Sequence, residues 1–265
     1  MQLSLVAACA ALLWLAPGAI AQERDDSFRW SGGIEAGRTV FVRNLNGPIR
    51  VEAASGATAE VRAAKVWRRG DPKDVKITAA RTARGDILVC AIWEGRNTRC
   101  DEDGYSSGSD GSWTLDRRDN DVSVEFTVYL PRDAKFDGST VNGALAIAGA
   151  TAGVTARTVN GGIEAASTGG PVSAKTVNGG IRVRAGSIGD GPVEYETVNG
   201  SVTLELPASL DANLDITTVT GNVTSDYPVT IEGRFSRRRL QGQVGKGGPV
   251  LRLKTVNGSI RLLKA

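Results

Sequence analysis

Apolar and polar residues alternate with a period of two along most of this chain. Beyond Gly153 the rhythm is clear: Val154, Ala156 and Thr158 share one face, Thr155 and Arg157 the other. Asn160-Gly161-Gly162 interrupts it, Ile163 and Ala165 resume it around Glu164, and Ser167-Thr168-Gly169-Gly170 interrupts it again. Val172, Ala174 and Thr176 then repeat the scheme beside Ser173 and Lys175. Alternation bounded by Gly and Asn clusters predicts short, half-buried β-strands joined by tight corners. The stretch from Phe28 to Pro131 is β-like but less regular, with candidate strands at Ala59 to Trp67, Val75 to Thr78 and Asp86 to Trp93. Its clearest element sets Val122, Val124, Phe126, Val128 and Leu130 against Ser123, Glu125, Thr127 and Tyr129. Pro131 ends that strand because proline has no N–H to give to a ladder.

One motif punctuates the alternation. Thr140-Val141-Asn142-Gly143 returns at Thr158, Thr176, Thr197 and Thr255, with Thr218-Val219-Thr220-Gly221 as a variant and Leu45-Asn46-Gly47 as an early outlier. Asn142, Asn160, Asn178 and Asn199 are spaced by 18, 18 and 21 residues, and Thr220 follows after another 21. The 37 residues from Thr220 to the last corner, Asn257, read as two units with one signature lost. Self-similarity of this kind marks a chain built by stacking one small unit. Each unit holds two strands and two corners, and the corners are expected to use the left-handed backbone that Asn and Gly accept.

Asn-Gly is also the strongest short-range hairpin signal, so a meander of hairpins competes with a coiled stack. Recurrence of the same Thr and Asn in one slot favours the stack, where identical side chains form ladders. The expected fold is all-β: a repeat-built, β-solenoid or β-helix-like column over 138–265, capped by a less regular N-terminal β region over 22–137. The two parts are expected to form one continuous domain, the cap covering the unpaired edge of the first coil. Ala146, Ala156, Ala165 and Ala174 are expected inside, making the interior thin. Val202, Leu204, Leu206, Leu251, Leu253, Ile260 and Leu262 fill it further toward the end.

Met1 to Ala21 contains an apolar run, Leu3 to Leu15, and ends in the small-x-small pattern Ala19-Ile20-Ala21. That pattern predicts a signal peptide cleaved after Ala21, although no Lys or Arg precedes the run. The run is shorter than the roughly 20 residues a membrane-spanning helix needs, and Cys9 lacks the setting of a lipid-attachment site. No second apolar run follows, so the expected product is a soluble periplasmic or secreted protein beginning at Gln22. Cys90 and Cys100 then remain, an even number suited to an oxidising compartment. If Asp86 to Trp93 and Thr98 to Cys100 pair about a turn at Gly95, the two sulfurs meet in a disulfide. A redox-active pair, the competing reading, usually wants Cys-x-x-Cys spacing.

Composition narrows the chemistry. Lys and Arg number 32 against 29 Asp and Glu, a net charge of +3 that selects no partner class. Aromatics at 5% leave little material for a base-stacking platform, so a nucleic-acid partner is not expected. The chain contains no histidine. That excludes Ser-His-Asp and Cys-His catalysis and a His-based zinc site, leaving only carboxylate mechanisms for an enzyme. The densest acidic stretch is Asp101-Glu102-Asp103-Gly104, followed by Asp110, Asp116, Asp119 and Asp121. Asp101, Asp103 and Asp110 are oxygen-donor candidates for Ca²⁺, but their spacing misses the helix-loop-helix calcium pattern, and a solvated loop is the blander reading. Arg234, Arg237, Arg238 and Arg239, with Lys246 nearby, form a candidate anion-binding cluster on a hairpin leaving the stack, able to meet an anionic envelope surface. The plainer account is a charged hairpin that discourages edge-to-edge aggregation. No cofactor is implied.

The Thr-Val-Asn-Gly-x-Ile/Val repeat resembles a bacterial envelope family of "putative adhesins" built on a "toastrack" β-repeat domain of unknown function. Val124-Glu125-Phe126-Thr127-Val128-Tyr129-Leu130-Pro131, leading into Thr140-Val141-Asn142-Gly143, carries the same resemblance. So does the ending Gly247-Gly248-Pro249-Val250-Leu251-Arg252-Leu253-Lys254-Thr255-Val256-Asn257-Gly258-Ser259-Ile260. The likeness spans roughly Ile34 to Leu263 and rests on structural motifs. It implies an adhesin-like binding protein with no catalytic residue to carry over. The acidic, Ser/Gly-rich insertion after Cys100 and the lack of a transmembrane segment depart from it. Three function classes follow: a non-catalytic module that binds an envelope protein or polysaccharide, a soluble accessory of an envelope-stress system, and a glycan-cleaving β-helix enzyme. The last predicts a row of carboxylates on one outward face, yet the outward slots read Arg157, Lys175 and Glu196.

Overall fold

The computed structural model describes residues 22–93, 98–107, 120–231 and 238–265. The predicted signal peptide, the Gly95 turn, Asp110, Arg234 and Arg237 lie outside them. Among the described residues no helix is long and apolar enough to cross a membrane.

Period-two alternation becomes strand almost wherever it occurs. The chain opens with β1 (Glu23–Gly33), β2 (Thr39–Arg43), β3 (Ile49–Ala53) and β4 (Thr58–Trp67). A 3-10 turn at Pro72–Asp74 leads to β5 (Val75–Arg81) and β6 (Ile87–Trp93), then to the short β7 (Thr98–Cys100) and β8 (Tyr105–Ser107). β9 (Ser123–Leu130) begins the return to regular structure. Four paired units follow: β10 (Lys135–Ser139) with β11 (Leu145–Ala150), and β12 (Val154–Arg157) with β13 (Ile163–Ser167). The other two are β14 (Val172–Lys175) with β15 (Ile181–Ala185), and β16 (Val193–Glu196) with β17 (Val202–Leu206). The chain closes through β18 (Ala212–Thr220), β19 (Val223–Ser225), β20 (Val229–Ile231) and β21 (Arg239–Val244) into β22 (Val250–Asn257) and β23 (Ile260–Lys264).

Two long sheets face each other. The first runs β1-β4-β9-β3-β11-β13-β15-β17-β23-β19, the second β20-β21-β18-β22-β16-β14-β12-β10-β2-β6-β5. Neighbours are parallel throughout the middle, as a coil requires, and antiparallel only at the ends, where β1, β4 and β5 cap one end and β20 and β21 the other. One apolar core runs between the sheets from Val40 to Leu262. Small residues line its middle, where Ala156, Ala165 and Ala174 are each at most 2% exposed. Ala146 departs from expectation: it points outward, and Leu145 and Ile147 take the buried slots on either side.

Each corner is held by the layer beside it. The Asn side chains form a ladder, with Asn160 donating to Asn142, Asn178 to Asn160, Asn199 to Asn178 and Asn257 to Asn199, each at 2.8 Å. Asn46 bridges to Asn142, which makes the apparent outlier the first rung. At the later corners the Thr two residues before the Asn slot is buried, and its hydroxyl donates to the neighbouring layer's glycine carbonyl, as from Thr176 to Gly161 at 2.9 Å. The corner glycines answer a different need from the one expected. Only Gly47 and Gly221 of the set have positive φ, and no corner Asn does. A Cβ on Gly161 would instead lie 2.0 Å from the Gly143 carbonyl oxygen, and Gly179, Gly200 and Gly258 face the same obstacle. Close approach between layers, not left-handed backbone, selects glycine here.

The 37-residue interval is not a lost repeat. From β19 the chain runs into β20 and β21, which do not leave the stack as expected but extend the second sheet beyond β18; it then returns inward, so β22 lies between β16 and β18 and β23 between β17 and β19. Chain order and stacking order also differ at the other end, where β9 inserts between β3 and β4 and β6 between β2 and β5.

Candidate functional site: a groove on the outward face of the first sheet

The two outward faces of the column carry different electrostatics. On the second sheet the cations of the central strands are spent on neighbours. Asp137 takes both Arg43 (2.8 Å) and Arg157 (3.0 Å), Lys175 reaches Glu194 (2.7 Å) and Glu196 (3.5 Å), and Arg252 reaches Asp215 (3.5 Å). The Lys175 ammonium, hydrogen-bonded to Glu194, holds that carboxyl below its ordinary range. This face is a stripe of mixed sign in which Asp137, Glu194, Glu196 and Asp215 each sit against a cation.

A disulfide-tethered flap covers one end of that stripe. Cys90 and Cys100 are bonded, but not across a hairpin of their own strands: β6 pairs with β5 and β2, and β7 pairs with β8. Cys90 belongs to an outward column beside Arg43, so the bridge lays β7 and β8 over the sheet. The Tyr105 hydroxyl donates to the Arg43 carbonyl at 2.7 Å. Arg43 is wholly buried beneath it and donates to Asp137 and to the Glu102 carbonyl. Burial pushes the Tyr105 phenol well above its ordinary value. Two of the three calcium candidates, Asp101 and Asp103, fall on this flap: the Asp101 carboxylate accepts from the backbone N–H of Asp103 (3.0 Å) and Gly104 (3.1 Å), closing its own turn. Asp103 is exposed. Among the described residues no group of three or more metal-ligating side chains gathers anywhere. Of the basic cluster, Arg238 lies in the turn before β21 and Arg239 begins that strand, both exposed.

The first sheet offers a groove of about 650 Å³ near its N-terminal end. Arg24, Arg29, Arg50, Arg62, Glu125 and Tyr129 line it. Alternation aims them outward: Arg50 lies between buried Ile49 and Val51, and Arg62 between buried Val61 and Ala63. Arg24 is fixed by Glu125 at 2.6 Å and Asp26 at 2.7 Å, and Glu60 takes Arg29 at 2.8 Å together with Arg62. The Arg62 guanidinium also lies 5.0 Å from the Tyr129 ring centre, a cation–π contact. Hydrogen bonds from Arg62 and Arg29 lower the Glu60 pKa, so this carboxylate stays ionised at neutral pH and has no proton to deliver. Arg50, on the floor, makes no side-chain hydrogen bond or ion pair among the described residues. Pre-positioned guanidiniums beside an aromatic ring suit recognition of an anionic, polar ligand. Sequence reasoning missed the groove because β1, β4, β9 and β3 come together only in the fold.

Comparison with solved structures places this architecture among known folds. A crystal structure described as a putative cell adhesion protein from Clostridium sporogenes superposes with a TM-score of 0.50 at 12% identity, covering 90% of this chain and 99% of that one. A putative adhesin from Bacteroides fragilis aligns with a TM-score of 0.35 at 10% identity over 92% of this chain and 99% of that one. Comparison with curated protein sequences returns no match. The Toastrack DUF4097 family model matches residues 42–263, nearly the whole column from β2 to β23, and the chain belongs to that family.

Proposed function

We propose that this protein is a non-catalytic, adhesin-like binding protein of the bacterial envelope, exported to the periplasm or beyond by residues 1–21 and acting through its outward faces. The observation that carries this reading is the groove around Arg50, where ion pairs hold Arg24, Arg29 and Arg62 in place beside the Tyr129 ring. Such a site orients a charged ligand on a rigid sheet. The adhesion named for the Clostridium sporogenes protein agrees with it. The single disulfide accords with an oxidising compartment.

The test is retention of envelope components on the immobilised protein, with a parallel assay for released sugar. Retention of a polysaccharide or surface protein without turnover is the expected result. Turnover that disappears in Asp101→Asn or Asp103→Asn would replace this reading with the hydrolytic one. A membrane regulator as the sole retained component would make the protein an accessory of an envelope-stress system.

A further inference from the structure

Register across the first sheet assembles a feature that extends well beyond the groove. Arg29 is opposite Arg62, Arg62 opposite Thr127, and Thr127 opposite Arg50. The row continues through Ala146, Glu164, Arg182 and Thr203 to Arg261. Each of these residues sits between inward-facing neighbours, so all project from the same outward face. Five arginines and one glutamate therefore lie in single file across nine adjacent strands. At about 4.8 Å per strand, Arg62, Arg50, Arg182 and Arg261 follow one another at intervals of roughly 10, 14 and 10 Å.

Arg50, Arg182 and Arg261 are exposed and make no ion pair or side-chain hydrogen bond among the described residues. The contrast with the opposite face is direct, since Arg43, Arg157, Lys175, Arg252 and Lys254 all have carboxylate partners there. Beside the row, two residues earlier in each layer, stand Pro48, Ala144, Gly162, Gly180, Ser201 and Ser259. These small residues leave that flank of the row low, and at Pro48 and Ala144 it joins the groove.

Building on the envelope-binding reading, we infer that this row is the binding track for a linear acidic polysaccharide. The chain would lie along this low flank across the strands, its carboxylate or sulfate groups meeting Arg50, Arg182 and Arg261, with one end in the Arg62–Tyr129 groove. Guanidiniums suit such oxyanions because their planar forks give paired hydrogen bonds. The row is one residue wide, and Glu52, Glu164 and Glu205 stand in it or beside it. That shape accepts a single extended polyanion and disfavours a broad anionic membrane, which would press on those carboxylates as well.

The experiment uses the full chain, expressed with its own leader and purified in the form the cell leaves it. Binding is measured to polygalacturonate, dextran sulfate, neutral dextran, phosphatidylglycerol vesicles and a single-stranded DNA oligomer over a range of salt. Polygalacturonate or dextran sulfate is expected to bind in a salt-sensitive way, and neutral dextran is not. Arg50→Gln/Arg182→Gln/Arg261→Gln is expected to weaken that binding at least tenfold and to flatten its salt dependence. Arg157→Gln/Lys175→Gln on the opposite face is expected to change it less than twofold. All variants alter outward-facing side chains, and an unchanged thermal melt verifies folding. Equal affinity of wild type and the triple variant overturns the track while leaving an envelope binder in place. Preference for vesicles or DNA over both acidic polysaccharides overturns the ligand class. Absence of any polyanion binding overturns this inference alone, because retention of envelope components is scored separately.

Discussion

Gly161 stands directly over the carbonyl of Gly143, and the 2.0 Å that a Cβ would leave between them has no room to relax, since the obstacle is backbone. Gly161→Ala should cost about 3 kcal/mol by forcing two layers apart. Gly162→Ala next to it should stay within about 0.5 kcal/mol, because its nearest obstacle is 3.4 Å away. Urea denaturation of the two variants checks the contrast. Thr176→Val keeps the shape but removes the hydroxyl that serves the part-buried Gly161 carbonyl, at a cost of about 1 kcal/mol. Titration adds a pH window. Hydrogen bonds from Arg62 to Glu60, from Lys175 to Glu194 and from the Gly70 N–H to Asp121 depress these carboxyls, so their contribution is complete at neutral pH and lost as the pH falls below about 4.5. Burial raises the phenols of Tyr105 and Tyr195 and takes Tyr227 to about 12, so stability is also lost as the pH climbs from 10 toward 12. With no histidine, thermal melts should give a plateau between about pH 5 and 9.

At the scale of elements, the flap and the corners behave differently. β7 and β8 form an isolated two-stranded sheet, which is marginal in water without support. The Cys90–Cys100 bridge and the Tyr105 hydroxyl provide that support. Reduction should therefore lower stability by about 2–3 kcal/mol, read as a shift of the urea midpoint with and without reductant, while the β-sheet circular dichroism of the column persists. The strands themselves were readable from alternation: Val154, Ala156 and Thr158 are buried as their period required. The partner of β7 was not readable. A three-residue segment carries no register of its own, and its spacing from Cys90 suited a hairpin as well as a flap. The Asn ladder was legible because identical residues stack only when layers are in register. The reason for glycine was not, since only coordinates show the neighbouring carbonyl.

For the whole molecule the decisive feature is the return of the last segment into the interior of the stack. β22 and β23 make a middle layer, contacting β16 and β18 on one sheet and β17 and β19 on the other. Truncation after Gly248 should therefore leave no cooperative fold, seen as loss of a sharp melt and as aggregation on size-exclusion chromatography. A terminal coil in the same position would cost far less, because repeat columns tolerate loss of an end unit. Such distant pairings also predict slow folding, as loops must close before the contacts form.

The arginine track shows where legibility stops. Arg50, Arg182 and Arg261 each lie four residues after a corner Asn, so the repeat, once aligned, already places them in one slot. Arg29 and Arg62 have no such mark and join the row only through the antiparallel pairing of β1, β4 and β9. By itself, the order of residues determined the strand period, the corner sites and the stacked character of the fold, because these follow from local alternation and exact recurrence. Stacking order, the flap over Arg43 and the full row of charge from Arg29 to Arg261 belong to the tertiary structure. A repeated motif fits any rung equally well, and only the packing of the ends decides which rung it takes.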